Sequence, residues 1–311
     1  MKLLEKLSNA DAIASNEKEI RDICQQEINS EYFMDNLGSL IFKKGNNGLK
    51  IALFAHMDEV GYMVCEIEPK IKVIPIGNVA KVDANVRITT RDNRKIKAKL
   101  NYENLELELG EEEKKYIDYG DMVTFDTEFK EIDENTLEGK SLDDRVGIYT
   151  AMEIFKNYGG ENTLYFVLTS SEEVGARGAK TSANLINPDM AFVIDVVSTK
   201  EDRRLLGKGP LIEFYDKNFI PRKGMLELVK DTFIENMLLF QMDYMKNGGT
   251  DATNIHLKQS GILTLVTCIP IIDCHYPKSR VNKNDIKTLI KVYNKILDKI
   301  DRNKIHNILI T

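Results

Sequence analysis

The sequence predicts an α/β protein: a mixed, largely parallel sheet flanked by helices, with a small β-rich domain inserted into it. Three observations carry that prediction. Near-continuous apolar runs that end in polar groups recur at 50–56, 164–169, 190–195 and 262–267. Helical patterns such as Val146 to Tyr158 separate them. Between 64 and about 138 the texture changes to period-two alternation.

The first element is helical over 2–29, because Leu3, Leu4, Leu7 and then Ile20, Ile23, Cys24 and Ile28 fall three and four apart. Ser15 or Asn16 offers a cap for its second piece, with Glu19 downstream. Lys50 to His56 reads as a strand buried on both faces, with functional groups at its C-terminal end. Alternation then follows in Ile71/Val73, Val86/Ile88, Ile96/Ala98/Leu100, Leu105/Leu107/Leu109 and Val123/Phe125. Gly77-Asn78 and Arg91-Asp92-Asn93 punctuate it as turns. The expected division is 1–63, the first part of the α/β domain; 64–138, the insert; and 139–311, the second part. A last amphipathic helix, about 285–300, closes one face of the sheet.

Of 311 residues, 42% are hydrophobic and 30% charged, enough apolar material for a large core. A net charge of −6 without a long basic run argues against nucleic acid as a partner. The acidic stretch 103–121 reads as a solvated face. Four scattered cysteines give no disulfide framework and read as small buried residues, although Cys274 adjoins His275. The N-terminus lacks the apolar core of a signal peptide, and no run is long enough to span a bilayer. A cytoplasmic protein is the expectation.

The chemistry lies in Ala55-His56-Met57-Asp58-Glu59-Val60-Gly61, Ser141-Leu142-Asp143-Asp144-Arg145 and Ser171-Glu172-Glu173-Val174-Gly175, joined by Asp195 and His275. In an extended segment His56 and Asp58 point to the same side, so one can ligate a metal and the other support it. Asp143-Asp144 offers one carboxylate to bridge two cations and one to bind Arg145 or cap the helix. Adjacent side chains diverge, so one member of Glu172-Glu173 can ligate while the other serves as a base. Asp195, ending an apolar run, needs a cation or a positive side chain. His256 reads as structural and His306 as solvated. Two imidazoles with these carboxylates suit a pair of divalent ions plus a free base, a site able to cleave an amide with water.

Taken together, these segments resemble the dinuclear metal aminopeptidases that include the glutamyl and tetrahedral aminopeptidases, some of which carry a cellulase label. The resemblance also covers Asp35-Asn36-Leu37-Gly38, Tyr119-Gly120-Asp121, Asn187-Pro188-Asp189 and Gly249-Thr250-Asp251-Ala252, so it spans almost the whole chain. It implies His56, Asp143, Glu173, Asp195 and His275 as metal ligands, Asp143 as their bridge, Glu172 as general base and Asp58 as the residue orienting His56. It implies two divalent ions per chain, zinc or cobalt with manganese as a third choice. Peptides with a free N-terminus would be the substrates, and the insert would match the family's oligomerisation domain. Ile272-Asp273-Cys274-His275 departs from the family's Arg-Tyr-x-His, and Asp11-Ala12-Ile13-Ala14-Ser15 from its Gly-Pro-Ser-Gly turn. The chain is also short between Asp195 and Gly248. Asp273, in place of an aromatic, could favour basic or neutral first residues over acidic ones.

The same ligands would serve a small-molecule deacylase. A non-catalytic assembling relative would have lost a ligand, and none is lost. A glycosidase needs paired carboxylates and no metal.

Overall fold

In a computed structural model, residues 1–310 form two bodies built by different hydrophobic periods. The larger is an eleven-stranded mixed sheet between helices. Its centre is parallel: Thr163–Thr169, Lys50–His56, Met190–Ser198 and Leu263–Ile272 lie side by side in that order. These strands are apolar throughout because both faces are covered. In Lys50–His56, Ile51, Leu53 and Ala55 pack on one side, while Ala52 and Phe54 pack on the other. Helices Leu142–Asn157 and Lys283–Leu297 cover the first face; Arg177–Ile186 and Ala252–Ile255 cover the second. Antiparallel strands extend the sheet at both edges.

The second body is a closed six-stranded antiparallel barrel from Gly61 to Phe125. Val64, Val73, Val86, Ile88, Leu100 and Val123 fill its interior, one residue in two along each strand. The segments Lys130–Glu131 and Thr136–Gly139, which follow the barrel, pair within the main sheet.

A buried ion network joins the bodies. Asp11 accepts from Arg87 Nε at 2.8 Å and Thr124 Oγ1 at 2.7 Å, both on barrel strands, and lies 3.1 Å from Lys140 Nζ. Lys140 also reaches both oxygens of Glu59 at 2.8 Å. Glu59 receives Arg145 Nη2 at 3.0 Å and the Ala12 amide at 3.0 Å as well.

Three local expectations need correction. The N-terminal helix is two helices, Lys2–Asn9 and Lys18–Glu27. Ser15 sits at φ +72° and donates its amide to Glu17, while Glu19 accepts from the Asp11 amide, so no capping box forms. Asp195 does not end its strand, because Val196 and Val197 carry the apolar run on to Ser198. No described helix is long and apolar enough to cross a membrane.

Candidate metal centre

The parallel strands deliver the site at their C-terminal ends, the usual position in an α/β sheet. His56 is the last residue of its strand, paired with Thr169, whose strand leads to Glu172 and Glu173. Asp195 lies one strand further on, and His275 follows Leu263–Ile272 by three residues. His56, Asp143, Glu172, Glu173, Asp195 and His275 all line one cleft of about 450 Å3.

Asp143 is the centre of the arrangement. Its Oδ1 lies 3.0 Å from His56 Nε2, and its Oδ2 lies 3.0 Å from His275 Nε2. Each oxygen therefore faces a different donor group. His56, Asp143 and Asp195 form one cluster able to hold an ion; Asp143, Cys274 and His275 form the other. Asp195 Oδ1 is 4.0 Å from His56 Nε2, and Glu173 Oε1 is 3.4 Å from His275 Nε2.

The ring nitrogens that face away from this centre are fixed. His56 Nδ1 lies 3.0 Å from the Asp58 carbonyl, and His275 Nδ1 lies 3.0 Å from the Asn78 carbonyl. Those contacts fix the ring orientations and leave each Nε2 facing Asp143 and the cleft. Asn78 belongs to the barrel segment, so the barrel helps orient a site histidine. Asp58 is fully buried beneath the cleft; its two oxygens accept the amides of Glu172 at 2.8 Å and Glu173 at 3.0 Å. It therefore positions the glutamate pair as well as approaching His56 Nδ1, at 3.6 Å.

Asp144, which the sequence left open, caps and supports. Its Oδ1 accepts from Gly147 and its Oδ2 from the His56 amide. A Cβ on Gly147 would collide with both of those oxygens. Arg145 turns away from this carboxylate pair to Glu59 and to the carbonyls of Leu7 and Met57. The residue most easily overlooked is Asp251: buried, bonded to Thr169 through Oδ2, with Oδ1 lacking any partner.

Asp273 is exposed and is not among the residues lining the cleft. His256 packs on Phe219 and bonds its own helix at Ala252, and His306 is exposed.

Charge in this pocket is out of balance. Burial opposes ionisation of Asp143, but bonds from His275 and His56 hold its carboxyl below the usual range. Burial pushes Asp195 up to about 7, with Asp143 adding repulsion against the pull of His56. Burial likewise pushes Glu172 well up, and Asp251, Asp195 and Glu173 reinforce it while His56 opposes it. Glu173 Oε1 is buried without a hydrogen-bond partner. Concentrated carboxylates with an orphaned oxygen are costly in a protein interior unless cations meet them. The donor set of imidazole, carboxylate and thiol suits zinc-like divalent ions.

The profile of the M42 glutamyl aminopeptidases matches residues 38–292. The chain belongs to this family of metallo-aminopeptidases. It is 27% identical to the glutamyl aminopeptidase of Lactococcus lactis, over 82% of this chain and 84% of that protein. It is 24% identical to the lysyl aminopeptidase of Pyrococcus furiosus, over 88% and 89%. Among solved structures, aminopeptidase APDkam598 from Desulfurococcus kamchatkensis superposes with a TM-score of 0.94 at 28% identity, covering 99% of this chain and 96% of that one. The TET1 peptidase of Pyrococcus horikoshii, described as assembling into a tetrahedron or a large octahedral shell, gives 0.88 at 25% identity, covering 96% and 99%.

Proposed function

We propose that this M42 family member hydrolyses the N-terminal residue from short peptides at a centre where Asp143 would serve two divalent ions. The observation that carries this reading is the pair of Asp143 oxygens, each 3.0 Å from a different imidazole in one acidic cleft. His56 and Asp195 would hold one ion with Asp143; Glu173 and His275 would hold the other. Zinc or cobalt suits these donors best. Such ions, when bound, supply Lewis-acid polarisation of the scissile carbonyl and acidify water.

The protein's own groups do the rest. Glu172 lines the cleft beside the ligands and takes the proton of the attacking water, then passes it to the leaving amine. A carboxyl pushed upward by burial is suited to that exchange. Asp58, fully buried, holds the glutamate pair in place through two amide bonds. The carboxylates of the cleft favour a free α-amine. Lys200 and Lys246 line the same cleft and favour an acidic group on the substrate.

Assembly into a homo-oligomer is part of the proposal. The TET1 peptidase supports it by resemblance. The barrel, which contributes no ligand side chain, is the segment we assign to assembly. Met237, 93% exposed, lies beside exposed Ile234 and Leu239 and offers a further apolar surface outside the barrel.

A paired assay tests the function. Apo-protein reloaded with zinc or cobalt should cleave a peptide with a free N-terminus and leave its N-acetylated form intact. Equal cleavage of both would overturn the exopeptidase reading, and cleavage of N-acyl amino acids alone would point to a deacylase.

A further inference from the structure

One donor beside Asp143 has no part in the chemistry above: the thiol of Cys274. Its Sγ lies 3.0 Å from Asp143 Oδ2, the same oxygen that lies 3.0 Å from His275 Nε2. Asp143, Cys274 and His275 each offer a ligand atom, all within 4.8 Å of one another. Neighbouring side chains on an extended backbone diverge. Here Asp273 at φ +54° and His275 at φ +66° turn the chain so that both Cys274 and His275 meet one carboxylate oxygen.

A second observation points to a ligand at this place. Glu173 Oε1 is 3.4 Å from His275 Nε2, its side chain is 6% exposed, and the atom has no hydrogen-bond partner. Zinc bonds of about 2.0–2.3 Å to nitrogen, oxygen and sulfur imply tetrahedral donor–donor edges of about 3.3–3.8 Å. The two 3.0 Å separations, from the shared Asp143 Oδ2 to Cys274 Sγ and to His275 Nε2, lie just under those edges and need only a small expansion around an ion.

We propose that Cys274 is a thiolate ligand of the ion held by Asp143, Glu173 and His275, making this half of the centre a mixed sulfur, nitrogen and oxygen site. The inference rests on the dinuclear reading above. The His56 half has only nitrogen and oxygen donors, so the two halves differ in softness. The sulfur half selects zinc or cobalt over manganese. Binding there breaks the S–H bond, the electron pair stays on sulfur to form the metal bond, and the proton leaves to solvent.

X-ray absorption at the zinc edge of the zinc-loaded full-length protein tests this directly. The expected result is about one sulfur scatterer per two zinc ions, at about 2.3 Å. The cobalt-loaded protein should show a sulfur-to-cobalt charge-transfer band in the near ultraviolet. That band should disappear in Cys274→Ser while both ions stay bound. The other cysteines offer no rival source: Cys24 and Cys268 are buried in apolar clusters, and Cys65 lies in a barrel strand. Two bound ions with only nitrogen and oxygen scatterers would overturn the thiolate assignment and leave the dinuclear centre standing. A charge-transfer band that survives in Cys274→Ser would overturn it too. A wild-type protein that binds no metal would overturn both. The wild-type absorption spectrum decides the matter even if Cys274→Ser fails to fold.

Discussion

Glu59→Gln is the substitution whose cost follows most directly from the packing. Glu59 is 2% exposed, and Lys140 and Arg145 are fully buried against it. Its carboxylate meets Lys140 at 2.8 Å through both oxygens and Arg145 at 3.0 Å. Glutamine keeps the shape and removes the charge. Lys140 then retains one carboxylate, Asp11 at 3.1 Å, and Arg145 retains only carbonyls. Arginine cannot shed its proton, so its charge stays uncompensated. Breaking a buried ion pair from one side costs about 3–5 kcal/mol. In a chain of this size each kcal/mol lowers Tm by about 2 °C, so Glu59→Gln should melt about 6–10 °C below wild type. Denaturant unfolding should show the same loss with an unchanged m-value. The double variant Glu59→Gln/Lys140→Met removes a charge of each sign, and should recover part of the loss through a favourable coupling. A drop below about 1 kcal/mol would refute the reasoning, because it would mean that water or relaxation compensates the buried cations.

Three further outcomes are expected. Glu172→Gln should lower kcat by ~10²-fold or more with metal content unchanged, whereas Glu173→Gln should lower metal content; steady-state kinetics and elemental analysis separate the two, and full turnover in Glu172→Gln would reverse their roles. Burial opposes the charge of Asp11, but Lys140, Arg87 and Lys95 hold its folded carboxyl below the usual range. A depressed carboxyl contributes stability above its unfolded pKa of about 4 and loses it as pH falls further, so stability measured from pH 7 down to pH 3 should fall less steeply in Asp11→Asn; an unchanged slope would count against the ion network. Light scattering at micromolar concentration should give a homo-oligomer, weakened by Met237→Asp if the apolar surface at 234–239 takes part; an active strict monomer would remove the assembly proposal.

The parallel centre of the sheet was legible because strands covered on both faces are apolar at every position, as in Ile51 to Ala55. The barrel was legible from alternation, since only its inner face is packed. The convergence of His56, Asp143, Glu172, Glu173, Asp195 and His275 on one cleft was legible because histidine is rare in this chain and acid pairs stand beside apolar runs, and the family resemblance implied their roles. What escaped has physical reasons. Asn78 orients His275 through a backbone carbonyl, which has no signature in sequence. Lys140, Arg145 and Glu59 look like surface charges until the fold buries them together. Convergence of Cys274 with His275 depends on two positive φ angles at residues that ordinarily avoid them. Asp195 looked like a strand terminus because a buried carboxylate usually marks one, yet the sheet continues past it.

The central claim is that Asp143 joins two ions in one centre. Elemental analysis after metal reconstitution and removal of free ions tests it most directly, on wild type and on Asp143→Ala. Because Asp143 belongs to both donor clusters, the account predicts about two divalent ions per wild-type chain and loss at both sites together in the variant. A wild type that never exceeds one ion per chain, or a variant that keeps both, would contradict it.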